Sequence, residues 1–340
     1  MQNRSLLFII MLLLFVGVIP AQTVPDLGEY KTLKCDFHMH TIYSDGLVWP
    51  TVRVDEAVRE GLDAIAITDH LEYLPHKKYL PDGHNISYEI ANKYAKKKNI
   101  ICIRGAEFTR WMPPGHFNAL FIQDANKLII KEFLPAIEEA INQGAFILWN
   151  HPGWIVHQPD KVVRWYDIHT TLVERNWLHG IEFANWHEYY PGVLKFTDKY
   201  NLAVIGNSDV HGVSSEVFLS QSDHRPFTLV FATERSEAAI KEALFAGRCI
   251  AVAEKDILAG PKDLTNRFVK ACLEVQVSNN GDIFLTNRSD LPFIFMSSNQ
   301  KEYLLPKSGT VNLPKQNENV WTIKNVLVDN NNYLTLTLEK

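Results

Sequence analysis

The sequence lacks any local concentration of charge. Its 340 residues include 34 Lys and Arg against 39 Asp and Glu, a net charge of −5, with no basic block, acidic tail or low-complexity tract. A protein that binds long nucleic acids needs a basic surface to neutralise phosphates. The charge balance therefore argues against a long nucleic acid as partner, although not against a short 3′ end. No internal repeat is present either.

Cysteine is scarce. The chain has four, and the spacings of Cys35, Cys102, Cys249 and Cys272 match neither a disulfide framework nor a zinc-binding pattern. Cys35 and Cys102 lie in apolar, strand-like runs, where a cysteine is expected to pack as a small buried thiol. A Cys249–Cys272 disulfide stays open as an alternative, because an oxidising compartment would permit one.

The apolar run near the N-terminus, from Leu6 to Pro20, is too short for a membrane span, which needs roughly 20 residues. It follows Arg4 and is followed by the small residue Ala21, an arrangement typical of a cleavable secretory signal. We therefore predict a signal peptide at residues 1–21, with an uncleaved anchor as the alternative. The mature protein is expected to be exported, periplasmic or secreted, and free of the membrane.

Between residue 33 and about residue 250, β-rich runs alternate with helix-like segments. Runs such as "LDAIAITDH" and "AFILWNH" are separated by segments such as "SYEIANKYAKKKN" and "SEAAIKEALFAG". Strand–helix alternation favours an α/β domain with a largely parallel sheet, closed or nearly closed into a barrel. In such barrels the chemistry collects at the C-terminal ends of the strands, where the loops converge.

The pattern changes after about residue 265. Runs such as "DIFLTNRS", "VWTIKNVLV" and "YLTLTLE" alternate apolar and polar residues between Asn, Gly, Asp and Pro turns, without a helical period. We predict a small all-β C-terminal domain, a sandwich or half-barrel, at residues 266–340, after an α/β domain at residues 30–260. The boundary is expected in "AGPKDLTNR", residues 259–267.

The stretch "CDFHMHTIYSDG" carries the first candidate site residues. In an extended strand His38 and His40 point to the same face, so two imidazoles can bind one metal ion. Taken alone, a His-x-His pattern is a weak signal. Histidine, aspartate or glutamate recurs, however, at the end of nearly every predicted strand or in the loop beside it. The full set of candidate ligands is His38, His40, Asp45, His70, Glu107, His116, His151, Asp209 and His211.

These motifs resemble those of the PHP (polymerase and histidinol phosphatase) superfamily of metal-dependent phosphoesterases. The resemblance rests on "HMHTIYSDG", "TDH", "GAEFT", "NHPGW" and "SDVHG" and covers roughly residues 33–250. It implies a distorted (β/α)7 TIM-like barrel with two or three metals at the C-terminal mouth. By position, one metal would be held by His38, His40, Glu107 and Asp209, a second by Glu107, His116 and His151, and a third by Asp45, His70 and His211.

The ligand types agree with this resemblance. Imidazole and carboxylate ligands without thiolate suit Zn, Mn or Fe and discriminate little among them. Two metals that share the Glu107 carboxylate would lower the pKa of a bridging water and stabilise charge on a phosphoryl group. We therefore expect a hydrolase of phosphate esters, with a metal-bridging hydroxide as nucleophile and Glu107 and Asp209 as central catalytic residues.

Further polar residues near the predicted strand ends are candidates for substrate contacts. Arg110 and Arg225 are candidate phosphate-binding cations, and Arg110 is also a catalytic candidate. In "FANWHEYY", Asn185 is a candidate substrate contact and His187 could protonate a leaving group. Asp69 is expected to support the ligands or cap a helix.

The expected substrate is a small phosphorylated molecule. A secreted enzyme with a C-terminal β-domain resembles the phosphodiesterase-like members of the family, which implies a diester or broad specificity. A metal-dependent amidohydrolase or exonuclease with the same metals remains an alternative, as does a non-catalytic metal-binding surface protein whose β-domain does the binding. The sequence leaves the oligomeric state open.

Overall fold

A computed structural model describes residues 24–218, 224–316 and 319–338. The predicted signal peptide at residues 1–21 lies outside the described residues. The strands in chain order are β1 (Lys31–Asp36), β2 (Ala64–Ile67), β3 (Ile101–Phe108), β4 (Phe117–Leu120), β5 (Phe146–Trp149), β6 (Gly180–Asn185), β7 (Glu188–Tyr189), β8 (Ala203–Asn207), β9 (Phe227–Ala232), β10 (Cys249–Ala253), β11 (Ile257–Ala259), β12 (Leu273–Val277), β13 (Ile283–Asn287), β14 (Phe293–Met296), β15 (Glu302–Leu305), β16 (Thr310–Leu313), β17 (Val320–Leu327) and β18 (Tyr333–Thr337).

The helices are α1 (Pro50–Arg59), α2 (Ile86–Lys98), α3 (Phe133–Asn142), α4 (Asp167–Glu174), α5 (Leu194–Tyr200), α6 (Ser214–Val217), α7 (Glu237–Phe245) and α8 (Lys262–Cys272). Helices α2 and α7 coincide within about two residues with the two segments named above as helix-like. Within the described ranges, no helix combines the length and the apolar character that crossing a bilayer requires.

The first ten strands build a barrel-like mixed sheet in the order β9-β1-β2-β3-β4-β5-β6-β8, with β10 beside β9 and β7 paired with β6. Strands β1, β2 and β3 are parallel to one another, as are β5, β6 and β8. Strand β4 is antiparallel to both neighbours, because residues 109–116 are too few for a crossover helix. The predicted parallel sheet is therefore interrupted at β4 and at β9.

Close backbone approach joins β8 to β9. The hydroxyl of Thr228 in β9 donates to the carbonyl of Gly206 in β8 at 2.7 Å and accepts from its N–H at 3.0 Å. A Cβ atom on Gly206 would lie 2.7 Å from the carbonyl oxygen of Phe227, so only glycine allows this approach. The barrel thus closes through a side chain, without a regular ladder between these two strands.

The C-terminal strands continue the barrel sheet. Strand β11 pairs in parallel with β17, and β17 pairs with β14 and β18. A second sheet of β12, β13 and β16 packs on this extension through buried residues such as Leu285 and Trp321. The strand-rich C-terminal region expected from the sequence is therefore present. It is a sandwich of two layers, the extension of the barrel sheet and the three-stranded sheet.

The sequence did not predict α8, which occupies most of the expected boundary. Thr265, Phe268, Val269 and Cys272 are buried in this helix at spacings of three, one and three residues, the pattern of an amphipathic helix. The helical period of this segment was not recognised because the predicted domain boundary, which ends at residue 267, divides the helix into two short pieces. The domain bounds themselves remain predictions.

All four cysteines are buried free thiols, so the possible Cys249–Cys272 disulfide is not formed. Burial raises the pKa of Cys249 and of Cys272 to about 12 in each case. These thiols pack as small apolar groups, the role expected for Cys35 and Cys102.

Candidate metal centre

The predicted ligands meet at the end of the barrel where the parallel strands finish. Strand β1 ends at Asp36, before the two histidines of the first motif. The chain stays beside the segment after β8, where Met39 forms an isolated parallel bridge with Val210. A second bridge joins His70 to Glu107. The backbone thus holds the ends of β1, β2, β3 and β8 together, and His38 and His40 face the same side, as the alternation predicted.

A first group of ligand atoms surrounds a single point. Nε2 of His38 lies 3.2 Å from Oδ1 of Asp209 and 3.5 Å from Oε2 of Glu107. Nε2 of His40 lies 3.0 Å from the same Asp209 oxygen and 3.4 Å from the same Glu107 oxygen. Two imidazole nitrogens and the Asp209 oxygen therefore converge at distances that one cation could bridge, with an oxygen of Glu107 beside them.

The second group uses the other oxygen of Glu107. Oε1 lies 3.0 Å from Nδ1 of His116 and 3.7 Å from Nε2 of His151, and it accepts a hydrogen bond from the Asn150 amide at 3.0 Å. The two oxygens of Glu107 thus face two different sets of histidines, as a carboxylate shared by two metals requires.

The third group lies beside His40. Oδ1 of Asp45 is 3.4 Å from Nε2 of His70 and 3.2 Å from Nε2 of His211. His40 also belongs to this group through Nδ1, 3.9 Å from the same oxygen. The glycine after Asp45 is required by the fold, because a Cβ on Gly46 would lie 2.6 Å from the backbone carbon of His40.

These residues fit divalent metals. Nε2 of His38 and of His40 and Oδ1 of Asp45 are buried, and none has a hydrogen bond within the described part of the chain, whereas Oε2 of Glu107 lies 2.7 Å from Nδ1 of His70. Buried polar atoms normally have partners. Nδ1 of His38 must carry a proton because it faces the carboxylate of Glu182 at 2.9 Å, which leaves a lone pair on Nε2 for a metal.

The pKa directions describe a cluster of mixed charge. Burial alone would raise the pKa of Glu107, but the surrounding His70, His38 and His116 outweigh it and hold that pKa well below its usual range. Burial, reinforced by His211 and His70, lowers the pKa of His40 to about 4. Ionised carboxylates and a neutral imidazole in one buried place form a suitable environment for a cation.

Two of the ligands lie at strained backbone positions. His151 has φ = 27° and Asp209 has φ = 52°, both in the left-handed region that residues other than glycine rarely adopt. Strain of this kind persists where surrounding contacts fix it and is common at functional sites. For Asp209 the N–H donates to the carbonyl of His38 at 2.8 Å, which ties the strained residue to the first motif.

Other residues hold the ligand loops in place. Asp69 accepts hydrogen bonds from the N–H and hydroxyl of Thr41 and from the hydroxyl of Ser44, so it braces the loop after His40. The buried guanidinium of Arg53 donates to the carbonyls of His40, Val210, His211 and Gly212. One arginine therefore fixes the segments that carry the first and last motifs.

The metal groups open into a cavity of about 600 Å³. Besides ligands, its walls contain aromatic, apolar and polar or charged side chains from the loop after β5 and from residues 185–190, at the end of β6 and beyond it. These residues are Trp154, Ile155, Lys161, Asn185, Trp186, His187, Glu188 and Tyr190. The cavity is large enough for a small organic molecule and lies directly over the ligand cluster.

Comparison with known proteins identifies the family. The family model described as the PHP domain matches residues 36–146. An uncharacterized protein of Methanocaldococcus jannaschii is 27% identical over 246 residues, 69% of this chain and all of that relative. A crystal structure of a two-domain protein from Bacteroides vulgatus, described as containing a predicted PHP-like metal-dependent phosphoesterase, is 39% identical. It covers 93% of this chain and 97% of its own, with a TM-score of 0.89.

The chain belongs to the PHP family. Membership confirms the predicted resemblance, the α/β fold with an added strand-rich region, and the expectation of a hydrolytic enzyme. The His, Asp and Glu groups at the barrel mouth are clusters that could bind metals, as the PHP family's metal dependence requires. The number and identity of the metals, and the role of each ligand, remain predictions.

The structure corrects the prediction for Arg225. Its side chain is 1% exposed and is paired with Asp36 at 3.1 Å and Glu60 at 2.7 Å. It does not line the cavity, so it cannot meet a substrate phosphate there. Arg225 neutralises the buried carboxylates of Asp36 and Glu60. Without this partner, the buried negative charges would strongly destabilise the fold.

Arg110 is also placed differently from the prediction. Its guanidinium lies 2.9 Å from a carboxylate oxygen of Glu72 and donates to the carbonyl of Ile130 at 3.1 Å. It is not among the cavity-lining residues, so the roles expected for Arg110 in substrate binding and catalysis are not supported by its position. Asn185 and His187, in contrast, do line the cavity.

Sequence reasoning missed Lys161 and Glu182. Lys161 lines the cavity and is ion-paired with Glu188, but it follows the "NHPGW" motif by several residues in a loop without periodicity. Glu182 is fully buried inside β6, next to the ligands. Its signal was a single acidic residue within the otherwise apolar run "GIEFAN", which suggests a buried partner.

Proposed function

We propose that this PHP-family protein hydrolyses small phosphate esters with the help of divalent metals at the barrel mouth. The observation that carries the proposal is that the two carboxylate oxygens of Glu107 face different groups of histidines. One oxygen faces His38 and His40, the other faces His116 and His151, and both lie under an open cavity. A shared carboxylate between two neighbouring metal groups is the arrangement used for displacement at phosphorus.

The three groups described above would hold the metals, with Glu107 between the first and the second. Bound there, the metals would polarise the phosphoryl oxygens and supply an activated water as nucleophile. The protein's own residues supply the orientation. Glu182 keeps the His38 lone pair directed at the first group, and Arg53 and Asp69 fix the loops that carry His40 and His211.

The charges of the cavity favour a diester over a monoester. Among the described residues that line it, Lys161 is the single lysine or arginine, and Glu188 already neutralises it. A phosphodiester carries one negative charge at neutral pH, whereas a monoester carries close to two. The aromatic side chains of Trp154, Trp186 and Tyr190 provide apolar area for the organic groups of a diester.

Turnover of model esters tests the proposal. Metal-free protein is loaded separately with Mn and with Zn, and the rates with p-nitrophenyl phosphate and bis-p-nitrophenyl phosphate are compared. We expect metal-dependent turnover, faster with the diester, and its loss in an Asp209→Ala, His211→Ala double variant. No turnover of either ester by protein that holds two or more metals would contradict the proposal and favour the amidohydrolase or non-catalytic alternatives.

We also propose that the protein acts outside the cytoplasm, after removal of residues 1–21. The support is the arrangement of Arg4, the apolar run and Ala21. N-terminal sequencing of protein recovered from the cell envelope and medium tests this. A mature chain that begins near residue 22 is expected, and an intact Met1 in all fractions would contradict it.

A further inference from the structure

A histidine–carboxylate pair lies in the cavity wall apart from the predicted ligands. Nδ1 of His187 is 2.9 Å from Oε1 of Glu254, and His187 lines the cavity while Glu254 lies behind it. A carboxylate only accepts, so Nδ1 of His187 carries a proton and Glu254 fixes the orientation of the ring. No hydrogen bond from any described residue engages Nε2 of His187.

The cavity offers few other groups that could donate a proton. Lys161 is ion-paired with Glu188, and the hydroxyl of Tyr190 donates to the same carboxylate at 3.0 Å. The remaining histidines that line the cavity belong to the candidate metal groups. Among the described lining residues, His187 is therefore the proton donor that is neither a candidate ligand nor already engaged with Glu188.

The position of Glu254 depends on the C-terminal strands. It begins a tight turn, residues 254–256, in which Lys255 and Asp256 have φ of 60° and 56°. Asn325 of β17 donates to the carbonyl of Asp256 at 2.9 Å and to the carbonyl of Pro292 at 2.9 Å, and it accepts from the N–H of Ile294 at 3.0 Å. The strand-rich region thus fastens the turn that carries Glu254.

We propose that His187 protonates the leaving oxygen of the ester, and that Glu254, held by the C-terminal strands, is its positioning residue. This inference rests on the proposed function. The oxygen of water forms a bond to phosphorus, and the bond from phosphorus to the leaving oxygen breaks with its electron pair on that oxygen. His187 acts in its doubly protonated form: the leaving oxygen takes the proton from Nε2, and the ring becomes a neutral imidazole that keeps Nδ1–H on Glu254. The proton lost by the attacking water returns to Nε2 through solvent.

The proposal gives the C-terminal region a function in catalysis. A general acid stabilises the leaving group most when that group is a weak acid, and typically contributes about 10²–10⁴-fold. The positioning carboxylate accepts the Nδ1–H of the imidazolium and fixes the ring, so that the proton on Nε2 is the one transferred. Through Asn325, the C-terminal strands would preserve this geometry.

The leaving-group dependence of the rate provides the test. Wild-type protein and variants are compared on a p-nitrophenyl ester and the matching phenyl ester, mono- or diester according to which series wild type hydrolyses. His187→Gln should lower kcat with the phenyl ester about 100-fold and change it little with the p-nitrophenyl ester, whose leaving group needs no proton. Glu254→Gln should show the same selectivity with a smaller loss, about tenfold.

Asp256→Asn is the matched control. Asp256 lies in the same turn and forms a similar pair with His224, at 3.2 Å, but neither residue lines the cavity. This variant should leave both rates unchanged. Metal content and thermal unfolding are measured for each variant, and if His187→Gln does not fold, the isosteric Glu254→Gln decides the question.

Two results would overturn the proposal in distinguishable ways. Equal losses with both esters, or no loss with either, would remove His187 as the acid while leaving the hydrolase intact. Absence of metal-dependent turnover by wild-type protein with every ester would instead remove the proposed function, and the inference with it.

Discussion

Glu182 accepts a hydrogen bond from Nδ1 of His38 at 2.9 Å, and both side chains are completely buried. The second oxygen of Glu182 accepts the backbone N–H of His151 at 2.7 Å and the amide of Asn185 at 2.8 Å. One carboxylate in the middle of the barrel therefore orients ligands from two metal groups and a residue of the cavity wall. Carboxylates in this position typically fix the tautomer and raise the basicity of a metal-binding histidine.

Replacing Glu182 should weaken metal binding without removing a ligand. We expect Glu182→Gln to reduce metal affinity about 10–100-fold, because the amide is uncharged and only its oxygen can still accept the hydrogen bonds that two carboxylate oxygens accept. Calorimetric titration of the metal-free protein with Mn measures the affinity. Glu242→Gln, which removes a carboxylate far from the site, serves as control, and equal affinities in the two variants would contradict the role assigned to Glu182.

Arg53 should act on the site through the backbone. Its five donors bind four carbonyls of the ligand-bearing segments and the carboxylate of Glu56, and a lysine cannot reproduce that geometry. Arg53→Lys is therefore expected to lower metal affinity about tenfold or more. Arg235→Lys alters an exposed arginine that also binds backbone, at Asp63 and Asn99, and should bind metal like wild type. Unchanged metal affinity in Arg53→Lys would contradict this role and show that the ligand-bearing loops keep their conformation without the arginine.

The buried position of Arg225 predicts a change in stability and not in substrate affinity. Arg225→Met leaves Asp36 and Glu60 without their buried partner, which should lower the free energy of unfolding by about 3–5 kcal/mol. KM measured with bis-p-nitrophenyl phosphate should stay at the wild-type value. A raised KM at unchanged stability would restore the phosphate-binding role that the sequence had suggested.

Two structural histidines should make the metal-free protein sensitive to acid. Burial lowers the pKa of His169 and of His179 to about 4, and each ring uses one nitrogen to donate to a carbonyl and the other to accept an N–H. Both rings are therefore neutral in the folded state.

Because the folded-state pKa values lie below the unfolded value of about 6.5, stability is complete above pH 6.5. It falls as the pH drops from 6.5 toward 4, by about 1–3 kcal/mol for each histidine. Urea unfolding of metal-free His169→Gln and wild type across this range measures the effect. We expect a shallower pH dependence in the variant, and parallel curves would contradict the assignment.

The candidate ligands could be predicted from the sequence because their signal is local. In each motif the polar residue directly follows an apolar run or lies in the adjacent loop, and the ends of parallel strands meet at one edge of a barrel. His70 after β2 and Glu107 in β3 are distant in sequence, yet the strand pairing alone brings them together. The fold class followed from the same alternation.

The supporting contacts could not be predicted because they depend on packing between distant segments. Glu254 meets His187 across 67 residues of chain, and Arg225 meets Asp36 across 189. Nothing near Arg225 in the sequence distinguishes a buried ion-paired arginine from one that binds phosphate. That distinction required the three-dimensional positions of Asp36 and Glu60.

The metal content and turnover of Glu107→Gln test the central claim most directly. Metal-free wild type and variant are reconstituted with Mn, the bound metal is counted, and turnover of bis-p-nitrophenyl phosphate is measured on the same samples. Glu188→Gln, which alters a carboxylate in the same cavity outside the ligand set, should retain the wild-type metal content. The account predicts that Glu107→Gln loses two metals together and all hydrolysis, whereas wild-type metal content and turnover in that variant would contradict it.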